Sequence, residues 1–427
     1  MTVNSWNWIL SLYFPICFTA VIGFLRPKQP RMFASCLLGS LWVATSLPAL
    51  ELINAHAHWW SYTRGEITFA GVPVELYLGW IVWWGILPQI VLDGLSIPWS
   101  AVLLVGCDAV LIPRLPALTL PRTWLAGEGA AVAIVLLPAL CLARWTLEHK
   151  HLRMRATLQV LLAAGLFLFL LPEIVFALRP GRGWAPLLAM PGWAKQIWAQ
   201  MILLLALPGV GGVIEFAERG GGTPIPYDPP VQLVASGIYR YCANPMQISC
   251  ALVMLSWAAL LRNAWLLAAA IVSISYSAGI AHWDESVDLE ERFGNEWCTY
   301  RSETKNWWPR WRPYHAGSPA RLYMAATCGP CSELRQWIAV RRPVGMDIVD
   351  AETLPAGSIL RMRYDPQDGS RSVAGVRAMG RALEHLNLGW ALAGAALRLP
   401  IVWQCVQMVM DASGLGPREL CAHGNRA

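Results

Sequence analysis

Nine apolar runs, most of them long enough to cross a bilayer, dominate this chain and leave it few possible folds. They extend over Trp6 to Leu25, Phe33 to Ile53, Val74 to Leu92, Leu95 to Ile112, Trp124 to Leu142, Thr157 to Leu178, Gln196 to Ala217, Met246 to Leu261 and Ala264 to Ala281. Crossing the hydrocarbon core takes roughly 17 to 25 helical residues, and all but the shorter eighth run supply them. With 56% hydrophobic and 14% charged residues, the chain is too apolar for a soluble enzyme, and backbone groups inside lipid must bond within their own segment. The predicted class is therefore mainly α, a polytopic helical membrane protein with about nine transmembrane helices, followed by a C-terminal α/β part.

The basic residues orient that bundle. Arg and Lys cluster in the connections Arg26 to Arg31 and Arg144 to Arg155, which share one side if all nine runs cross. The positive-inside rule makes that side cytoplasmic, together with the Gly220 to Pro245 loop and the whole tail after Ala281. Arg114, Arg122, Arg179, Arg182 and Lys195 fall on the opposite side, so the bias is partial. Many of the 24 tryptophans lie at run ends, where interfacial anchoring explains them. The first run has neither a basic leader nor a small-residue cleavage site, and reads as a retained helix. The net charge of +6 fits loops facing anionic lipid, and the absence of a basic stripe argues against nucleic acid as a partner.

Three blocks follow: residues 1–152 with five runs, 153–315 with four more and an amphipathic tail, and 316–427 with ordinary polarity after the Gly, Ser and Pro of His315 to Pro319. In the first block His56, His58, Glu66, Glu75, Asp93, Asp108 and Glu128 lie in or near the membrane, where ionisable groups are costly and mark either function or helix pairing. His56 and His58 have the wrong spacing for a helical metal pair, and no third ligand accompanies them.

The second block carries the densest motif, Gly-Gly-Thr-Pro-Ile-Pro-Tyr-Asp-Pro-Pro from Gly221 to Pro230. It continues with Gly237, Ile238, Tyr239 and Arg240, then Ala243, Asn244, Pro245 and Met246, and a tail of Glu285, Leu289, Phe293, Gly294, Tyr300 and Pro309. Proline and glycine at this density fix backbone torsions and leave amides available to a polar ligand. In order and spacing this stretch resembles the isoprenylcysteine carboxyl methyltransferase and phospholipid methyltransferase superfamily.

The resemblance implies a site for S-adenosyl-L-methionine on the cytoplasmic side, capped by the tail and open to lipid for an apolar acceptor. It implies cofactor contacts from Tyr239, Arg240, Asn244, Pro245, Met246 and Glu285. A sulfonium needs carboxylates or carbonyl oxygens nearby, and the cofactor's own carboxylate needs donors. Pro245 would open the eighth helix at a position where its missing N–H costs nothing. Methyl transfer needs alignment and dryness, so a general base (Glu285, with Asp284 or His282 as alternatives) is required only if the acceptor must lose a proton. Ala243, Gln247 and Ser286 depart from the usual Arg, Tyr and second Glu. A related membrane fold hosts NADPH-dependent sterol and enone reductases, the alternative activity; a third reading is a membrane protein that is not catalytic or is redox-active only.

In the third block the apolar Leu322 to Met324 leads straight into Cys328-Gly-Pro-Cys331 and a helical run to Val340. Cys-x-x-Cys at a strand-to-helix turn favours Cys328 as the attacking thiolate and Cys331 as its resolving partner. Further strands are predicted at Met346 to Asp350 and Leu360 to Tyr364, and helices at Val373 to Leu386 and Leu392 to Met410. The tail resembles the DCC family of thiol-disulfide oxidoreductase-like domains, which implies a thioredoxin-like fold and a thiol or disulfide partner. Met324, Ala325 and Ala326 replace that family's opening Tyr, Asp and Gly. The expectation is an integral membrane methyltransferase of a bacterial inner (plasma) membrane, with a cytoplasmic C-terminus, acting on a lipid-like or membrane-soluble thiol acceptor.

Overall fold

The structure, a computed structural model, describes residues 9–25, 30–63, 67–115, 117–179, 181–224, 228–326, 329–355 and 360–417, with the backbone alone at 10, 30 and 280–285. Among these residues, six helices are long and apolar enough to cross a membrane: Arg31–Ala57, Val74–Val91, Ile97–Arg114, Trp124–Leu147, Leu152–Leu178 and Gly192–Gly220. The remaining three predicted spans form shorter apolar helices, Ser11–Leu25, Pro245–Leu261 and Ala264–Gly279. Of the about nine expected spans, six are thus full-length among the described residues, and the bent pair Leu388–Arg398 and Val402–Leu415, which is not among the nine, would be a seventh if it is one broken span.

By contact density the chain divides into two compact units. The first comprises 1–189, 222–229 and 257–266, and the second 190–221, 230–256 and 267–427. The first unit packs around Leu38, Val43, Trp84, Val135, Leu136 and Leu140, all nearly or fully buried. Its helices approach closely where side chains are absent: a Cβ on Gly39 would lie 2.5 Å from the Gly85 carbonyl oxygen. Arg144 is buried and donates to the carbonyls of Leu92, Asp93 and Leu95, which closes the free C-terminal end of the helix before them.

The second unit contains the only four-stranded sheet among the described residues. Its strands are β1 (Ala320–Met324), β2 (Met346–Asp350), β3 (Arg363–Asp365) and β4 (Val373–Ala374), in the order β2-β1-β3-β4. β1 and β2 run parallel across the helix Gly329–Val340, while β1–β3 and β3–β4 are antiparallel. Leu322, Met324, Ile338, Tyr364, Ala378 and Ala382 fill the core between sheet and helices.

Two predicted elements are corrected. The helix expected over Val373 to Leu386 begins as β4 and turns helical only at Val376, after Gly375 at φ 63. The helix expected over Leu392 to Met410 is two helices bent by 87°, because Pro400 has no N–H to continue the ladder.

Candidate functional site

The 3-10 turn Gly237–Arg240 and the helix Pro245–Leu261 bring together Tyr239, Arg240, Asn244, Pro245 and Met246. Tyr239, Asn244 and Pro245 are buried, Arg240 and Met246 partly so. Pro245 is the first helical residue, as expected. Asn244 Nδ2 donates to Gln247 Oε1 at 3.0 Å, so the glutamine standing in place of the usual tyrosine orients the asparagine amide.

The tail closes over this turn through main-chain bonds. Tyr300 Oη donates to Tyr239 O at 2.8 Å, and Tyr314 N to Arg240 O at 2.8 Å. Arg310 N donates to Tyr241 O at 2.9 Å, and Ala243 N to Lys305 O at 3.0 Å. Ala243 lies in an aromatic cluster of Trp297, Tyr300 and Tyr314, which leaves little room for the long cationic side chain usual at that position. The turn is dry enough that burial alone pushes the Cys242 thiol up to about 12, making it a small hydrophobe and no nucleophile.

Arg240 is the charged centre of the site. Its Nη1 donates to Tyr314 O at 3.2 Å, while its Nε is buried without a hydrogen-bond partner. On the tail that pairs with the turn, Thr304 Oγ1 and Trp307 Nε1 are likewise buried without partners. Buried donors normally find acceptors, so orphans of this kind mark either strain or the place of a polar group the chain does not supply. His315 is held below its usual range by burial and then by the Arg240 charge. His385 is held far below it by burial, Arg240, His315 and Arg381.

The turn is positioned by a charged group that the sequence analysis did not single out. Glu215, fully buried at the end of the helix Gly192–Glu215, accepts from Ser236 Oγ at 2.6 Å and bonds Arg381 and Arg398. Glu384 and Glu218 complete the cluster. Gly237 has φ 59, and a Cβ there would meet the Glu215 side chain at 2.5 Å, so only glycine fits this turn. Glu215 and Glu218, three residues apart at the end of an apolar run, were the available signal.

The upstream part of the motif has its own anchor within the first unit. Asp228 Oδ2 accepts from Arg155 Nη1 at 2.7 Å and from Thr223 Oγ1 at 3.2 Å, and Asp228 Oδ1 lies 3.1 Å from His149 Nδ1. Gln159 Nε2 donates to Thr223 Oγ1 at 3.2 Å. Thr223 and Asp228 are therefore consumed in holding the loop. Ile225, Pro226 and Tyr227 lie outside the described residues.

Of the other expected site residues, Glu285 lies in the helix His282–Phe293 but its side chain is outside the described part. Cys328 is also outside it, and Cys331 is partly buried in the first turn of Gly329–Val340. No group of three or more His, Cys, Asp or Glu suited to a metal occurs among the described residues.

This is the constellation of a helical membrane protein with a tail-capped polar turn at the start of an apolar helix. Residues 221–296 match the family model described as phospholipid methyltransferase, and that match supports a membrane methyltransferase. No curated protein and no solved structure matches the chain. The matched stretch contains Arg240, Asn244, Pro245 and Glu285, and ends before the four-stranded sheet.

Proposed function

We propose that the chain is an integral membrane methyltransferase that uses S-adenosyl-L-methionine on a lipid-like or membrane-soluble apolar acceptor. The observation that carries this reading is the phospholipid methyltransferase match over 221–296, whose turn holds Arg240 with a buried, unpartnered Nε. That orphaned donor fits a carboxylate. Arg240, Asn244 and the N-terminal amides of the Pro245 helix would hold the carboxylate end of the cofactor, and Glu285 would face its cationic end. The cofactor supplies an activated methyl group on a sulfonium. The protein's own work is to align and to dry: the tail bonds from Tyr300, Arg310 and Tyr314 fix the turn, and the Trp297, Tyr300 and Tyr314 cluster excludes water beside it.

The C-terminal part supports a thioredoxin-like reading. Its strand order β2-β1-β3-β4, one parallel and two antiparallel pairs, is accompanied by Cys331 in the first turn of the helix that follows β1. In this reading Cys328 attacks, Cys331 resolves, and a membrane-soluble thiol is the acceptor class that would link the two chemistries. The cytoplasm is the side on which both would work.

The test is thermal unfolding of the detergent-solubilised full chain with S-adenosylhomocysteine and, separately, with NADPH. A ligand at a hundredfold excess over its Kd stabilises by about 2.7 kcal/mol. The expected result is an upward shift with S-adenosylhomocysteine alone, lost in Arg240→Met and Asn244→Ala. A shift with NADPH alone would replace this reading with the reductase one.

A further inference from the structure

The first unit holds a cavity whose walls belong to none of the residues discussed above as cofactor contacts. It lies at the end of the helix Arg31–Ala57 and is about 490 Å³ counted with its open mouth, of which about 30 Å³ admits the centre of a water molecule. Four indoles line it, those of Trp60, Trp80, Trp84 and Trp124, together with the carboxylates of Glu51 and Glu128. Among the described residues, no lining residue is basic.

Two of these indoles have no N–H to spare. Trp60 Nε1 donates to Glu51 Oε2 at 3.2 Å and Trp84 Nε1 to Asp108 Oδ2 at 2.8 Å, so both present ring surface to the void. Glu51 is also bonded by Tyr62 Oη at 2.9 Å and Asn54 Nδ2 at 3.2 Å, donors that suit an ionised carboxylate. Glu128 differs: its Oε1 is buried and has no hydrogen-bond partner. An aromatic box with an unsatisfied acceptor and, among the described residues, no basic lining group attracts a cation through ring quadrupoles and the acceptor oxygens of Glu51 and Glu128.

From this geometry we infer that the cavity binds the ammonium end of a small organic cation. An alkylammonium group matches both surfaces: methyl or methylene groups lie against the indoles, and the positive charge faces Glu51 and Glu128. A hard metal ion would find only carboxylates here and would strip its hydration against ring faces. A neutral apolar molecule would leave the Glu128 acceptor unpaired. The ammonium could come from a free solute or from a lipid headgroup, which offer the same chemistry.

The test uses the full chain in phosphatidylglycerol nanodiscs, titrated with choline chloride and ethanolamine hydrochloride at constant ionic strength, read by unfolding temperature and calorimetry. The expected result is saturable stabilisation by at least one of the two, none by 3,3-dimethyl-1-butanol, the neutral isostere of choline, and binding weakened about tenfold or more in Glu128→Gln. Equal stabilisation by the alcohol, no saturable binding of either cation, or unchanged affinity in Glu128→Gln overturns the inference. If Glu128→Gln does not fold, Trp124→Leu, which removes one ring at a partly buried position, carries the same comparison. Repeating the titration in phosphatidylethanolamine discs separates the sources. A lost response means the headgroup already fills the cavity, and a retained one means the ligand is a free solute.

Discussion

Ser236 Oγ donates to Glu215 Oε2 at 2.6 Å, and through this bond the buried charges of the C-terminal helices bear on the turn that carries Arg240. Glu215 is 0% exposed and is bonded by Arg381 and Arg398, themselves nearly buried. Removing one member of such a cluster costs far more than the cluster gains, because it leaves an uncompensated charge in a dry site, typically about 3–5 kcal/mol. Glu215→Ala is therefore expected to lower the unfolding temperature by a wide margin. Adding Arg381→Met should recover part of the loss, a coupling that a double-mutant cycle measures. Purely additive effects would mean the cluster does not act as one body.

Gly237→Ala tests the same relationship from the other side. The backbone there has φ 59 and the new Cβ would stand 2.5 Å from Glu215, so strain of about 1–3 kcal/mol is expected. The strain lies three residues from Arg240. The S-adenosylhomocysteine shift should consequently weaken more than it does in Gly279→Ala, where nothing lies within 4 Å. Equal effects on ligand response would detach Gly237 from the site.

The apolar helices and the turn before Pro245 were legible because each follows from local chemistry: run length, proline's missing N–H, glycine's positive φ. What was not legible is tertiary. Arg144 and Arg155 read as membrane-orienting charges, yet both are buried and bonded within the first unit, and a sequence does not distinguish a solvated arginine from a buried one. Glu215 stands 166 residues before Arg381 and meets Arg381, Glu384 and Arg398 only in the fold. The segment at His315 read as a linker because of its Gly, Ser and Pro. Its Tyr314 is nonetheless buried, and the His315 ring lies where a Cβ on Gly345 would be.

Asp228 belongs to the motif that suggests a ligand, but its oxygens are occupied by Arg155, His149 and Thr223. Asp228→Asn should destabilise the chain strongly, on the order of 3 kcal/mol for a buried arginine losing its partner. S-adenosylhomocysteine affinity, measured by calorimetry below the lowered unfolding temperature, should change little. A large loss of affinity in a variant that still folds would move Asp228 from loop anchor to ligand contact.

The buried pair of Tyr364 and His385 gives the chain a pH-dependent stability. Tyr364 Oη lies 2.8 Å from His385 Nε2, and His385 Nδ1 lies 2.7 Å from the Val344 carbonyl oxygen. A carbonyl only accepts, so Nδ1 carries the hydrogen and Nε2 accepts from the tyrosine. Protonating the ring would set a donor against that hydroxyl and a charge near Arg240, His315 and Arg381. Burial first, then those charges, hold His385 far below its usual range. The unfolded chain therefore takes up a proton near pH 6.5 that the folded chain refuses, and stability rises with pH through that window and falls as pH drops below it. The slope is about 1.4 kcal/mol per pH unit for one such group. Unfolding temperatures of the wild-type chain should fall between pH 7 and pH 5, and those of His385→Asn should fall less steeply whatever their absolute values. Parallel slopes would assign the acid sensitivity to other groups.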